Sequence, residues 1–239
     1  MKRYFIPILI IAAVGSLSAQ QPAFDEPVGE PDATLIGIDS AQQMLQEISL
    51  SRFEDAGMWR ALMPRDFGFA TIRKIAGGPQ DKQPIEAEQQ AGIDEADDYV
   101  LGVKAYYYHR AMEYIQIEPA RPIPIEGVCK VISLWVVGRN YEHVLKVLLE
   151  DYYGNAIELT VGKLNFSGWR RMSVRVPESI AQRDLHFSNS MGIRLRGFRI
   201  ECDLRDTMGT YYVYFDDLRA LTDLFPERNR DADDIPDTW

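Results

Sequence analysis

Along residues 67–221 the apolar side chains recur with a period of two, in short runs broken by glycine, proline and acidic turns. Period two is the spacing of a strand with one face buried, whereas a helix would repeat every 3–4 residues. Residues 67–75 alternate, with Phe67, Phe69, Thr71 and Ile75 on one side, which predicts a strand. Residues 99–108 are aromatic and β-branched, as strands prefer. Residues 128–137 are apolar almost throughout, the pattern of a strand covered on both faces, and this predicts a core position for Trp135. Trp169 opens the next alternating run, in which Met172, Val174 and Val176 interleave with Ser173 and Arg175, and it too is expected to pack inside. Residues 210–221 form a long aromatic strand near the end.

The run 141–152 fits either period, since Val144, Leu145, Leu148 and Tyr152 would also make a helical stripe. Gly154-Asn155 follows, and then Ile157, Leu159 and Val161 alternate. A turn pair between two apolar runs is a hairpin signal, so the strand reading is preferred. In 192–204 the apolar parity flips at Gly197, from Ile193 and Leu195 to Phe198, Ile200, Cys202 and Leu204. A half-buried strand changes parity only through an extra residue, which predicts a bulge at the glycine; two separate short strands would give the same pattern. Many short strands with little helix predict an all-β, antiparallel two-sheet sandwich with long loops, in jelly-roll topology, over residues 48–225.

The ends read differently. Met1-Lys2-Arg3, an apolar run over 4–14 and a small-residue exit at 15–19 have the order of a secretory signal peptide, with cleavage expected after Ala19. The apolar run is shorter than the roughly 20 residues a membrane-spanning helix needs. Residues 20–47 read as an exposed leader with a short helix at 40–47, residues 77–98 as an acidic surface loop, and residues 226–239 as an acidic mobile tail. The formal charge is −10, and removal of Lys2 and Arg3 takes it to −12. Such a chain lacks the clustered cations that nucleic acid or anionic lipid would require, and no membrane span is expected in the mature protein.

Chemistry is sparse. His109, His143 and His186 stand in no metal-ligand spacing, and no nucleophile elbow, phosphate loop or dinucleotide fingerprint occurs. Glu113, Glu118, Asp216 and Asp217 could serve as a glycosidase pair, but 36 acids make chance pairs expected. No catalytic residue, metal or cofactor is therefore assigned. Asp216-Asp217, at the end of the aromatic strand, could hold a structural calcium; a turn-capping role is preferred, because the 6–8 oxygen ligands calcium takes are not visible. Tyr106, Tyr107, Tyr108, Tyr211 and Tyr212 could form a platform for sugar rings, with core packing plus a half-wet sheet face as the simpler reading. Arg170, Arg171 and Arg175, with Arg194, Arg196 and Arg199, lie on two β segments read as adjacent. They are expected either to make a positive partner-binding surface or to be solvated strand faces. Cys129 and Cys202 allow one disulfide or two separately buried thiols.

Four ordered blocks carry a resemblance: 133–141 (Ser-Leu-Trp-Val-Val-Gly-Arg-Asn-Tyr), 162–169 (Gly-Lys-Leu-Asn-Phe-Ser-Gly-Trp), 197–203 (Gly-Phe-Arg-Ile-Glu-Cys-Asp) and 209–220 (Gly-Thr-Tyr-Tyr-Val-Tyr-Phe-Asp-Asp-Leu-Arg-Ala). Together they resemble the FlaA family, the flagellar filament outer-layer (sheath) proteins of spirochaetes. The resemblance implies a non-enzymatic subunit of the periplasmic flagellum, exported by its signal peptide. Its implied partners are core flagellin filament subunits and other outer-layer proteins, including paralogues of the same family. The alternative carried by the residues alone is a carbohydrate-binding jelly-roll module of an exported protein.

Overall fold

The computed structural model describes residues 45–93, 95–183 and 192–224. The segment expected to be a signal peptide, most of the expected leader, His186 and the expected tail lie outside the described residues. Twelve strands account for most of the rest: β1 Leu45–Ser51, β2 Trp59–Leu62, β3 Gly68–Ala76, β4 Tyr99–Tyr107, β5 Tyr114–Pro119, β6 Ile123–Ile125, β7 Val128–Arg139, β8 Val144–Glu150, β9 Ala156–Lys163, β10 Ser167–Arg175, β11 Ile193–Glu201 and β12 Gly209–Asp223. The one α-helix among the described residues, α1 Glu86–Gln90, is a single turn. The helix expected at 40–47 meets β1 instead, where residues 45–47 already pair with residues 223–221 of β12.

All pairings are antiparallel and fall into two sheets. Sheet I runs β10-β7-β12-β4-β3, with β1 also on β12; sheet II runs β2-β5-β11-β8-β9, with β6 also on β11. The chain crosses between sheets after β1, β2, β4, β6, β7, β9, β10 and β11, so β4, β12, β7 and β10 face β5, β11, β8 and β9. That is the jelly roll expected from the sequence. β8 and β9 form the expected hairpin. Its turn is five residues long, closed by Asp151, whose carboxylate accepts from the backbone N–H groups of Tyr153 and Asn155.

The parity flip in β11 is a bulge. Leu195 pairs with Leu149 and Gly197 with Leu148, leaving Arg196 as the extra residue. Gly197 sits at φ 129, and a Cβ there would lie 2.1 Å from the Ile117 carbonyl oxygen, so only glycine fits. The bulge lets Ile193, Leu195, Phe198 and Ile200 all face inward. Between the sheets an aromatic column runs through Phe53, Trp59, Phe198 and Phe215, with Phe198 stacked on Phe215 at 5.5 Å and on Trp59 at 5.9 Å.

Both cysteines are free and buried, so the disulfide expectation is corrected in favour of two separate thiols. The register shows why: Cys129 pairs with Thr222 at one end of β12, while Cys202 touches Tyr107, which pairs with Gly209 at the other. That separation is on the order of 40 Å along the strand, against the 4.4–6.8 Å a bridge needs. Burial pushes each thiol up to about 12. A thiol reagent at pH 8 should modify neither residue in the native protein and both after denaturation, without reductant.

His143 is fully buried, stacked on Tyr141, with its Nδ1 accepting from the Asp203 N–H at 3.1 Å. Burial pushes its pKa from 6.5 down to about 4, against the pull of Asp206 and Asp203. Above pH 6.5 the ring is neutral whether folded or unfolded. As pH falls from 6.5 towards 4 the unfolded chain takes the proton first, so stability is lost, by roughly 3 kcal/mol in total. Urea denaturation at pH 7 and pH 4.5 should therefore show a fall that His143→Phe flattens.

Candidate functional site

The outer faces of the two sheets differ in kind. On sheet II, Arg194 and Arg196 both bind the Glu150 carboxylate, at 2.8 and 2.7 Å, and hold it below the usual carboxylate range. Arg199 pairs with Glu158 and lies over the Tyr114 ring; Lys146 pairs with Glu201, and Arg60 with Glu118. This face neutralises itself.

Arg170, Arg171 and Arg175 sit on β10, at the edge of sheet I, on the other layer of the sandwich. Arg171 reaches Glu47 and Ser133, Arg170 covers the Phe166 ring at 4.1 Å, and Arg175 lies 3.7 Å from Glu178. The expectation of one positive surface from six arginines is corrected: β10 and β11 belong to different sheets, and five of the six spend their charge on carboxylates of the same molecule.

The outer face of sheet I is aromatic. Strand alternation sends Tyr107 and Tyr211 into the core and Tyr106, Tyr108 and Tyr212 outward. Phe69 and Ile75 also point outward, while Ala70 and Ile72 pack on the core. Phe69, Tyr106 and Tyr108 form a ring cluster with centroids 5.6–6.3 Å apart. One row further in, Thr71, Lys104 and Tyr212 lie side by side; the next row carries Arg73, Gly102 and Tyr214. Gly102 is small for a reason: a Cβ there would stand 2.8 Å from Ile75 Cγ1 and 3.2 Å from Tyr214 Cε1.

Trp135 and Trp169 belong to this face. Both are only half-buried, because β7 turns Ile132, Leu134 and Val136 to the core and Trp135 and Val137 away from it. An all-apolar run reads as doubly buried, and here the second apolar side is this outer face. Trp169, Val137, Tyr214, Val100 and Ile75, with Arg139 at the rim, line an open groove of about 570 Å3. Arg139 lies 5.6 Å from the Tyr214 ring, and Lys104 5.7 Å from that of Tyr212.

The other half of the face is covered by residues 77–93 and 95–98. This strap is anchored where β12 is irregular: Asp216 pairs with Trp135 and Arg219 with Ser133, so an extra residue is accommodated and Asp217 takes φ 51. Asp216, Asp217 and Arg219 are all buried on the outer side. Lys82 of the strap sits 2.7 Å from Asp216 and 2.6 Å from Asp97, and Arg219 pairs with Asp217 at 2.7 Å while donating to the Gln83 carbonyl. Burial pushes the Asp216 carboxyl up to about 6, although Lys82 pulls it down. Lys82 thus stands beside the acid that the calcium reading required. Among the described residues no cluster of three or more His, Cys, Asp or Glu could hold a metal. The carboxylates considered for glycosidase chemistry do not converge either: Asp216 and Asp217 are engaged under the strap, and Glu118 serves Arg60 on the opposite face. Sequence reading missed Lys82 and Arg219; the parity break at Asp216-Asp217 was the available signal.

Residues 29–227 match the family model for the flagellar filament outer layer protein FlaA. A putative flagellar filament outer layer-like protein of Brachyspira hyodysenteriae is 36% identical over 187 residues, covering 78% of this chain and 83% of that protein. The flagellar filament outer layer protein of Spirochaeta aurantia is 33% identical over 117 residues, 45% of this chain but only 35% of that protein. Among solved structures, a family 11 carbohydrate-binding module from Clostridium thermocellum is similar with a TM-score of 0.41 at 12% identity, covering 74% of this chain and 96% of that one. The module TmCBM61 gives 0.38 at 11%, covering 71% and 90%. No helix among the described residues is long and apolar enough to cross a membrane. With a family match over most of its length and a relative of this identity, the chain belongs to the flagellar filament outer layer protein family.

Proposed function

We propose that this chain is a structural outer-layer subunit of the periplasmic flagellar filament, exported by its signal peptide and laid down around a core of flagellin subunits. The family match over residues 29–227 carries the reading. An exposed aromatic sheet face on a sandwich whose other face is self-neutralised supports it, because such asymmetry gives a subunit one sticky side. The subunit does no chemistry; its part is to bind neighbours and so contribute to filament shape and motility. The same aromatic groove suits a sugar ring, which keeps the carbohydrate-binding reading as the competitor. Fractionation of cells tests the two: the protein should co-purify with sheared flagellar filaments and wash through a mixed polysaccharide column. Retention on the polysaccharide with absence from filaments would favour the competitor.

A further inference from the structure

The outer face of sheet I carries both halves of a charge-complementary contact. Its open half presents Arg73, Lys104 and Arg139 among Phe69, Tyr106, Tyr108 and Tyr212, and none of the three cations has a carboxylate partner among the described residues. Every outward arginine of β11, by contrast, has one. The covered half presents the strap, where Asp81, Glu86 and Asp98 are exposed and have no cation partner among the described residues. The strap's other charges among the described residues are engaged in holding it down, Lys82 on Asp216 and Asp97, and Glu88 and Glu95 on Arg52. Unpaired cations and unpaired acids therefore sit on one face of one molecule, on separate halves.

The shapes fit as well. The strap raises one half of the face and leaves the aromatic half open beside it. The geometry points to a second copy of this chain as the occupant: two sheet I faces meet about a two-fold axis, each acidic strap lying on the other's aromatic and basic half. Because strap and cations share a face, one such contact generates its reciprocal, as a two-fold interface requires. The exposed rings would be covered in the process, and the closed pair would be a unit of the layer. This rests on the outer-layer reading and adds a partner and a face to it.

Charge swapping on the full mature protein tests it. Sedimentation velocity at low salt should show a monomer–dimer equilibrium that added salt weakens. The pair Lys104→Glu with Arg139→Glu should weaken dimerisation about tenfold or more, and so should Asp81→Lys with Glu86→Lys. All four positions are exposed, so thermal melting should be unchanged. An equimolar mixture of the two variants restores opposite charges across both contacts and should dimerise like the wild type. A wild type that stays monomeric, variants that dimerise as well as it does, or a mixture that does not recover would each overturn the inference. Co-purification with filaments is scored separately: a protein that co-purifies yet never self-associates removes this contact and leaves the outer-layer reading standing.

Discussion

Phe198→Ala should cost about 3–5 kcal/mol, as deletion of a fully buried aromatic ring does, and this is a large part of the 5–15 kcal/mol that holds a domain together. Phe198 lies at the centre of the column between the sheets, fully buried and in contact with Phe53, Trp59 and Phe215. It is also the first residue after the β11 bulge, so its inward direction depends on Gly197. Trp135→Ala removes a larger side chain but should cost no more than about half as much, because one side of that indole already faces outward. Guanidinium denaturation of the two variants makes the comparison. Equal losses would place Trp135 in the core after all.

Arg219→Met should be the second costly change, at about 3–5 kcal/mol, because it leaves the buried Asp217 carboxylate without its cation. Arg219 and Asp217 are each 4% exposed and 2.7 Å apart, and the same guanidinium holds the strap at Gln83. The loss should therefore come with faster amide hydrogen exchange along residues 79–93, while the β7–β12 pairing keeps its protection. A variant as stable as the wild type would mean that Asp217 finds water or another partner, and that the strap is held mainly by Lys82 and the apolar contacts of Ile85.

The architecture was readable because alternation, turns and the parity break are local properties. The β8–β9 hairpin and the Gly197 bulge both follow from the order of residues alone, and so does the inward and outward division of the tyrosines. The direction of β3 is not legible in its alternation, because periodicity reports which side is more apolar, and on sheet I the outer side competes with the core: Phe69 and Ile75 outrank Ala70 and Ile72. Trp135 was placed inside for the same reason. The arginines were grouped by their similarity in sequence, yet β10 and β11 fall on opposite layers, a long-range fact that no local pattern contains. The strap anchors were hidden likewise, since Lys82 and Asp216 are joined only when the chain closes over β12. The direction of β3, the position of Trp135 and the strap anchors all concern the outer face of sheet I, where the sequence is apolar without being core.

The central claim is that this protein forms part of the layer outside the flagellar core, and cryo-electron tomography of periplasmic flagella from cells with and without it tests that most directly. Filaments from intact cells should show density outside the flagellin core into which the two-sheet sandwich fits, and filaments lacking the protein should be thinner or lose that density, with altered curvature. Filaments of identical diameter, layer density and curvature in the two strains would contradict the account.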